Sequence, residues 1–292
     1  MSENVLRLGM PKGSLQNATM EIFQNAGFRV SVDERQYRPY MDDEEIWCVL
    51  LRAQEMPGYV QSGILDCGLT GLDWIKEQDA DVVEVADLVY SKRGMTPYKW
   101  VLAVHESSDI SGPKDLDGKK VATELVNASR RYFESHGVKP DIEFSWGATE
   151  AKCPSLVDAI IEGTETGSTL RANNLKIIDV LFESTTKFIA NKAAWADPWK
   201  RQKIEDMVLL IKGALAAESQ VGLKMNVAAE NLASVLDCLP ALKTPTVSPL
   251  ADGEWVAVET VTDRKTVRTL IPRLKQAGAQ GIIEYPLSKI IP

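Results

Sequence analysis

The segment Asp158-Ala159-Ile160-Ile161-Glu162-Gly163-Thr164-Glu165-Thr166-Gly167-Ser168-Thr169-Leu170 carries the strongest chemical signal in the chain. An apolar run is bounded by acidic residues, and a loop of Thr, Gly and Ser leads into a helical stretch from Leu170 to Asn173. Small residues let backbone N–H groups close on an anion. Hydroxyls add donors, and a helix N-terminus adds partial positive charge. Such a loop suits a monoester phosphate. Carboxylates just before it suit ribose hydroxyls or the approach of a magnesium ion. The same composition also suits a Ser/Thr-capped helix after a solvated acidic turn, and spacing alone does not separate the two readings.

Two further turns could meet a ligand. Gly68-Leu69-Thr70-Gly71-Leu72-Asp73 reads as a strand running into a glycine-bracketed loop, able to receive a phosphate or an adenine ring, or merely to turn the chain. Pro11-Lys12-Gly13-Ser14 places its lysine before the glycine, so it is not the GxxxxGK[ST] phosphate loop. Lys12 still stands at the end of a strand, where open α/β sheets place ligands, although a solvated lysine is the commoner outcome. Arg52, Arg130 and Arg131 are candidate cations for a polyanion, set against ordinary surface ion pairs. His105 and His136 have no evident partner and read as structural. Cys48, Cys67, Cys153 and Cys238 show neither CxxC nor zinc-ligand spacing and read as buried small hydrophobes in a reducing compartment.

The elements that must position these residues alternate as in α/β proteins. Strands are predicted over 5–9, 46–52 and 82–88, with a short strand running into a glycine-bracketed loop within 65–71 and helices over 15–26 and from 73. After a turn at 94–97 come strands over 100–105, 119–123, 142–145, 158–162 and 175–181, with a helix over 127–136. A run over 186–191 and one long helix over 200–217 precede a βαββαβ order, the ferredoxin-like arrangement. Its pieces are strands over 222–227, 246–250, 255–261 and 281–286, a hairpin turn at Asp252-Gly253, and helices over 229–239 and 266–276.

Bulk properties bound the function. The chain has 292 residues, 45% apolar and 25% charged, which suits two or three folded domains. Lys and Arg number 33 against 41 Asp and Glu, a net charge of −8 that argues against a nucleic-acid partner. No apolar stretch reaches the roughly 20 residues of a membrane span, and no basic leader is evident, so a cytoplasmic protein without a membrane partner is expected.

Taken together the motifs resemble the ATP phosphoribosyltransferase family in its long, self-regulated form. The carrying residues are Gly9-Met10-Pro11-Lys12-Gly13-Ser14-Leu15; Arg52 with Pro57 to Val60, Gly63, Asp66, Gly68 to Gly71 and Asp73; Val121-Ala122-Thr123-Glu124 with Arg130 to Phe133; Asp158 to Ile160 with Thr166 to Asn173; and, near the end, 245–250 and 278–282. The resemblance implies transfer of 5-phosphoribosyl from phosphoribosyl diphosphate to N1 of ATP, with release of diphosphate, as the first step of histidine biosynthesis. It also implies a Mg²⁺ requirement, histidine as allosteric inhibitor and a homohexamer.

The implied fold is two periplasmic-binding-protein-like lobes, 1–95 with 185–211 and 96–184, plus an ACT-like regulatory domain over 212–292. The implied roles are Asp158 and Glu162 at the ribose, and Glu165, Thr166, Gly167, Ser168, Thr169 and Leu170 at phosphoribosyl diphosphate. Lys12, Arg52, Gly68, Leu69, Thr70, Gly71 and Asp73 would serve ATP. Glu162 and Ser14 depart from the family's common Asp and Arg. The alternatives are a non-catalytic clamshell that binds a small anion and a phosphoribosyltransferase for another base.

Overall fold

The computed structural model describes residues 4–33, 36–90, 98–239, 245–251 and 253–291; the expected turn at 94–97 and Asp252 lie outside them. Among the described residues the chain forms two compact units, divided inside the helix Pro198–Glu218 at Val208/Leu209, with Asn25–Gly27 counted in the second.

The first unit holds two five-stranded sheets, one per lobe. In the first lobe the order is Ile46–Arg52, Leu6–Lys12, Cys67–Gly71, Thr186–Ala190, Val83–Leu88. The first three strands run parallel, and Thr186–Ala190 enters antiparallel to both its neighbours. Leu6, Leu8 and Met10 are fully buried along one face of this interior strand. The sequence predicts that this strand stops at Gly9 and turns at Pro11. Instead it stays paired with Ile46–Arg52 through Lys12, because Pro11 needs no ladder N–H to hold an extended backbone. The turn falls at Gly13, whose φ is +101°, and the helix Gln16–Ala26 follows, ended by Gly27 at φ +103°.

The second lobe's sheet runs Leu175–Ser184, Tyr98–His105, Ala159–Thr164, Lys120–Thr123, Asp141–Phe144. Ala159–Thr164 lies antiparallel to Tyr98–His105 and parallel to Lys120–Thr123. The helix Val126–Ser135 covers it through Ala128 and Phe133, which join Leu102, Val121 and Ile161 in one core. The chain leaves this sheet at Ser184 and re-enters the first at Thr186.

Asp66 anchors the first lobe. It is 1% exposed, and it accepts from the Arg7 amide (2.8 Å), Arg7 Nη2 (3.1 Å) and Lys200 Nζ (2.9 Å). Burial alone would raise its pKa; the hydrogen bonds and charges of Arg7 and Lys200 outweigh that and hold it below the ordinary value.

The second unit contains a four-stranded antiparallel sheet ordered Thr246–Pro249, Trp255–Asp263, Gln220–Ala228, Gln280–Pro286. Helices Leu232–Cys238 and Arg264–Gln276 pack on it through Val235, Val267, Leu270 and Leu274. This is the ferredoxin-like order that the βαββαβ sequence predicts. No helix among the described residues is long and apolar enough to cross a membrane.

Candidate active site

Strand ends build the site. Lys12 and Arg52 are register partners at the C-terminal ends of two adjacent parallel strands, about 4.8 Å apart in the sheet direction. That is where an open α/β sheet presents ligand-binding groups. Neither side chain forms an ion pair among the described residues; Lys12 Nζ rests 3.6 Å from the centroid of the Tyr37 ring.

The second lobe repeats the geometry with opposite charge. Glu162 lies in the strand Ala159–Thr164, and Glu124 directly follows the parallel neighbour Lys120–Thr123, whose Thr123 pairs with Ile161. Lys12, Arg52, Glu124 and Glu162 all line one cavity of about 400 Å³, together with Glu165 and Tyr98. That volume lies within the usual range of ligand pockets.

The carboxylates there are held against their charge. Burial raises the pKa of Glu162, and Glu150 and Glu124 add repulsion, while Thr149 and the Gly163 amide (3.3 Å) offset part of it. Burial likewise raises Glu124, with a 3.4 Å hydrogen bond from Gln54 Nε2 opposing. Tyr98 stands among Glu162, Asp73, Glu165 and Glu124, and burial first, then those charges, push its phenol up. Its ring sits close against Gly163, where an added Cβ would come within 2.0 Å of Tyr98 Cε1. Glycine is therefore required next to Glu162.

The loop after Glu162 is ordered by its own hydroxyls. Thr164 Oγ1 accepts from the Gly167 amide at 2.7 Å, and Gly167 has φ +70°, a left-handed conformation that suits glycine. Ser168–Ala172 then turns as a short helix. Thr166, Ser168 and Thr169 are exposed, whereas Leu170 is buried against Val101 and Ile160 and offers only its backbone to a ligand.

Several sequence expectations are redirected. Asp158 does not line the cavity: it precedes the strand whose fourth residue is Glu162, about 13 Å away at strand spacing, and its carboxylate accepts from the Lys120 amide at 2.9 Å. Two residues on opposite ends of one strand cannot both meet one ribose. Gly68, Leu69 and Thr70 are not a loop. They are central strand, fully buried, with Met56 Sδ 2.6 Å from any Cβ at Gly68 and Thr70 Oγ1 donating to Ala53 O at 2.7 Å.

Of that segment only Gly71 and Asp73 reach the cavity. Asp73 folds back over Gly71 and accepts from Trp100 Nε1 at 3.0 Å and the Trp74 amide at 3.0 Å; burial raises its pKa against those bonds. Arg130 and Arg131 lie elsewhere: Arg130 donates to Asn127 Oδ1 and Arg131 to Lys76 O. Sequence reasoning missed Glu124, Tyr98 and Trp100 as cavity residues. Only Glu124 carried a signal, its place after an apolar strand.

Known proteins with this sequence pattern can now be compared with the geometry. The profile of ATP phosphoribosyltransferase (HisG) matches residues 52–213, and that of the HisG C-terminal domain matches 217–289. The chain belongs to the ATP phosphoribosyltransferase family. It is 58% identical over 290 residues to the ATP phosphoribosyltransferase of Chlorobaculum parvum, covering 99% of both chains. It is 58% identical over 287 residues to that of Solibacter usitatus, covering 98% of this chain and 99% of the other.

A solved chain of the ATP phosphoribosyl transferase (HisG:HisZ) complex from Thermotoga maritima superposes with a TM-score of 0.62 at 26% identity. It covers 71% of this chain and 99% of that one. Membership makes the protein a pentosyltransferase of histidine biosynthesis and displaces the non-catalytic clamshell as a reading.

Proposed function

We propose that the two substrates of this transferase are split between the lobes, with ATP on the Lys12 and Arg52 side and phosphoribosyl diphosphate on the Glu162 side. The observation that carries this reading is the pairing of charges: two cations with no ion pair among the described residues and two partly buried carboxylates line one cavity from corresponding strand ends. Lys12 and Arg52 suit the polyphosphate of ATP. The Thr166–Thr169 hydroxyls and the amides after Gly167 suit the 5-phosphate.

In the reaction, N1 of ATP attacks C1 of the ribose while the C1–oxygen bond to diphosphate breaks, so positive charge grows on the ring. Glu162 and Glu124, both partly withdrawn from water, favour that charge over the neutral ground state. Little covalent chemistry is asked of the protein; holding two polyanions in line supplies much of the rate. This accounts for a cavity in which His105 and His136 take no part.

Among the described residues no three His, Cys, Asp or Glu side chains gather as a metal cage. A magnesium ion therefore fits this chain as part of the substrate, carried on the diphosphate, rather than as a resident of the protein.

The second unit, residues 212–292 in the sequence reading, is assigned as the regulatory domain that binds histidine, and the assembly as a hexamer in the cytoplasm. The deciding experiment mixes the protein with ATP, phosphoribosyl diphosphate and Mg²⁺ and follows diphosphate release, with and without histidine. Release that histidine suppresses is expected. No release at high enzyme concentration would falsify the reading, and suppression that survives deletion from residue 212 would remove the regulatory assignment.

A further inference from the structure

The helix Leu72–Gln78 belongs to the first lobe, yet four of its seven residues are committed to the second. Asp73 accepts from Trp100 Nε1, and Trp74 packs against the core formed by Trp100, Leu102 and Val121. Lys76 Nζ lies 5.3 Å from the centroid of the Phe182 ring, and its carbonyl accepts from Arg131. Glu77 accepts from the Asn127 amide at 3.0 Å through one carboxylate oxygen and from the Ala128 amide at 2.9 Å through the other.

The last contact has a specific cause. The helix Val126–Ser135 begins after Leu125, a residue with no side-chain acceptor, so its first N–H groups have no cap from their own sequence. Glu77 supplies that cap from the other lobe, with its charge at the positive end of the helix. The return crossing is fastened to the same place, since the Asp73 amide donates to Ser184 Oγ at 3.1 Å and the Leu72 amide to Thr185 O at 3.0 Å. Restraints on the lobe spacing thus converge on one short helix. Glu124, which lines the cavity, lies two residues before the helix that Glu77 caps.

We propose that Leu72–Gln78 locks the two lobes at a set spacing, and that Glu77 is the positioning residue of the lock, holding Glu124 at the distance from Lys12 and Arg52 that transfer requires. The proposal rests on the division of substrates between the lobes argued above. It separates binding from turnover: a substrate held within one lobe does not feel the spacing, but the reaction between the two substrates does.

The test compares full-length wild type, Glu77→Ala and Glu77→Gln. In Glu77→Ala, kcat is expected to fall about 10²-fold, as for a displacement near 1 Å. In Glu77→Gln the amide oxygen still accepts one N–H, and a loss of about three- to tenfold is expected. Titration calorimetry with phosphoribosyl diphosphate and Mg²⁺ should give an unchanged Kd and full stoichiometry in both variants. Wild-type turnover in Glu77→Ala overturns the lock. A loss of kcat in Glu77→Ala matched by an equal loss of binding sites reports unfolding rather than spacing. If Glu77→Ala does not fold, the same criteria applied to Glu77→Gln decide. A wild-type chain that releases no diphosphate overturns the transferase reading itself, and the lock with it.

Discussion

The two lobes line one cavity with charged residues from the same topological place and with opposite sign. In the first, adjacent parallel strands end in Lys12 and Arg52; in the second, adjacent parallel strands lead to Glu162 and Glu124. Among the described residues the cations stand without an acid partner, and the carboxylates are partly buried without a paired cation. Asp66 shows how the same chain treats a structural carboxylate: it is buried too, but Arg7 and Lys200 neutralise it and its pKa falls instead of rising. Charge left uncompensated at a strand end is therefore the mark of the cavity. It is costly in the free protein.

Five substitutions test that contrast. The largest effect belongs to Glu162→Gln, which keeps the shape and removes the charge; kcat should fall by about 10²-fold or more, measured as diphosphate release at saturating substrates. A wild-type kcat would remove the carboxylate side of the comparison.

Arg52→Met removes a cation whose hydrogen bonds to an anion contribute about 1.5–3 kcal/mol, so the KM for ATP should rise roughly ten- to 100-fold. The KM for phosphoribosyl diphosphate should move much less. If the second KM rises more, the lobes have been assigned in reverse.

Thr166→Ala and Thr169→Ala each delete one exposed hydroxyl at the loop, worth about 0.5–1.5 kcal/mol if it meets the phosphate. The KM for phosphoribosyl diphosphate should rise about two- to tenfold, with that for ATP nearly unchanged.

The smallest effect is on stability, and its sign carries the information. Glu162 has a folded pKa above its ordinary 4.5, so its favourable contribution is complete below the unfolded pKa and is lost as pH rises through the folded value. Glu162→Gln should therefore unfold at an equal or higher urea midpoint than wild type at pH 7, with the difference closing toward pH 4. Asp66→Asn should behave oppositely. The pKa of Asp66 is lowered, so its contribution is present above the usual 3.8 and is lost only as pH falls through the folded value. Two variants that shift in the same direction would erase the distinction between structural and cavity carboxylates.

Much of the site was legible because its signals are local. The strand, glycine-hydroxyl loop and helix over 159–172 follow from turn chemistry within a dozen residues, and Gly167 takes the left-handed conformation such a loop needs. Lys12 and Arg52 were visible as cations at strand ends. Asp158 and Glu162 looked alike, because alternation along a strand shows which face a residue takes but not which end of the sheet will be covered. Arg131 looked like a substrate ligand because nothing near it in sequence shows that the Lys76 carbonyl will claim it, and Arg130 bonds Asn127 one helical turn earlier instead of reaching the cavity.

The sequence by itself determined the α/β alternation, the ferredoxin-like order at the C-terminal end and the glycine- and hydroxyl-rich turn into a short helix at 164–172, all consequences of periodicity and short-range turn geometry. The tertiary structure alone decided which charges share a cavity. Gly68 to Thr70 became core because Leu6–Lys12 on one side and Thr186–Ala190 on the other enclose that strand, the second from more than a hundred residues away. Glu124 entered the site through the pairing of Lys120–Thr123 with Ala159–Thr164, and Glu77 met its helix only across the lobes. Such long-range pairings leave no local trace, because the free energy of burying a charge is set by the neighbours that folding brings to it.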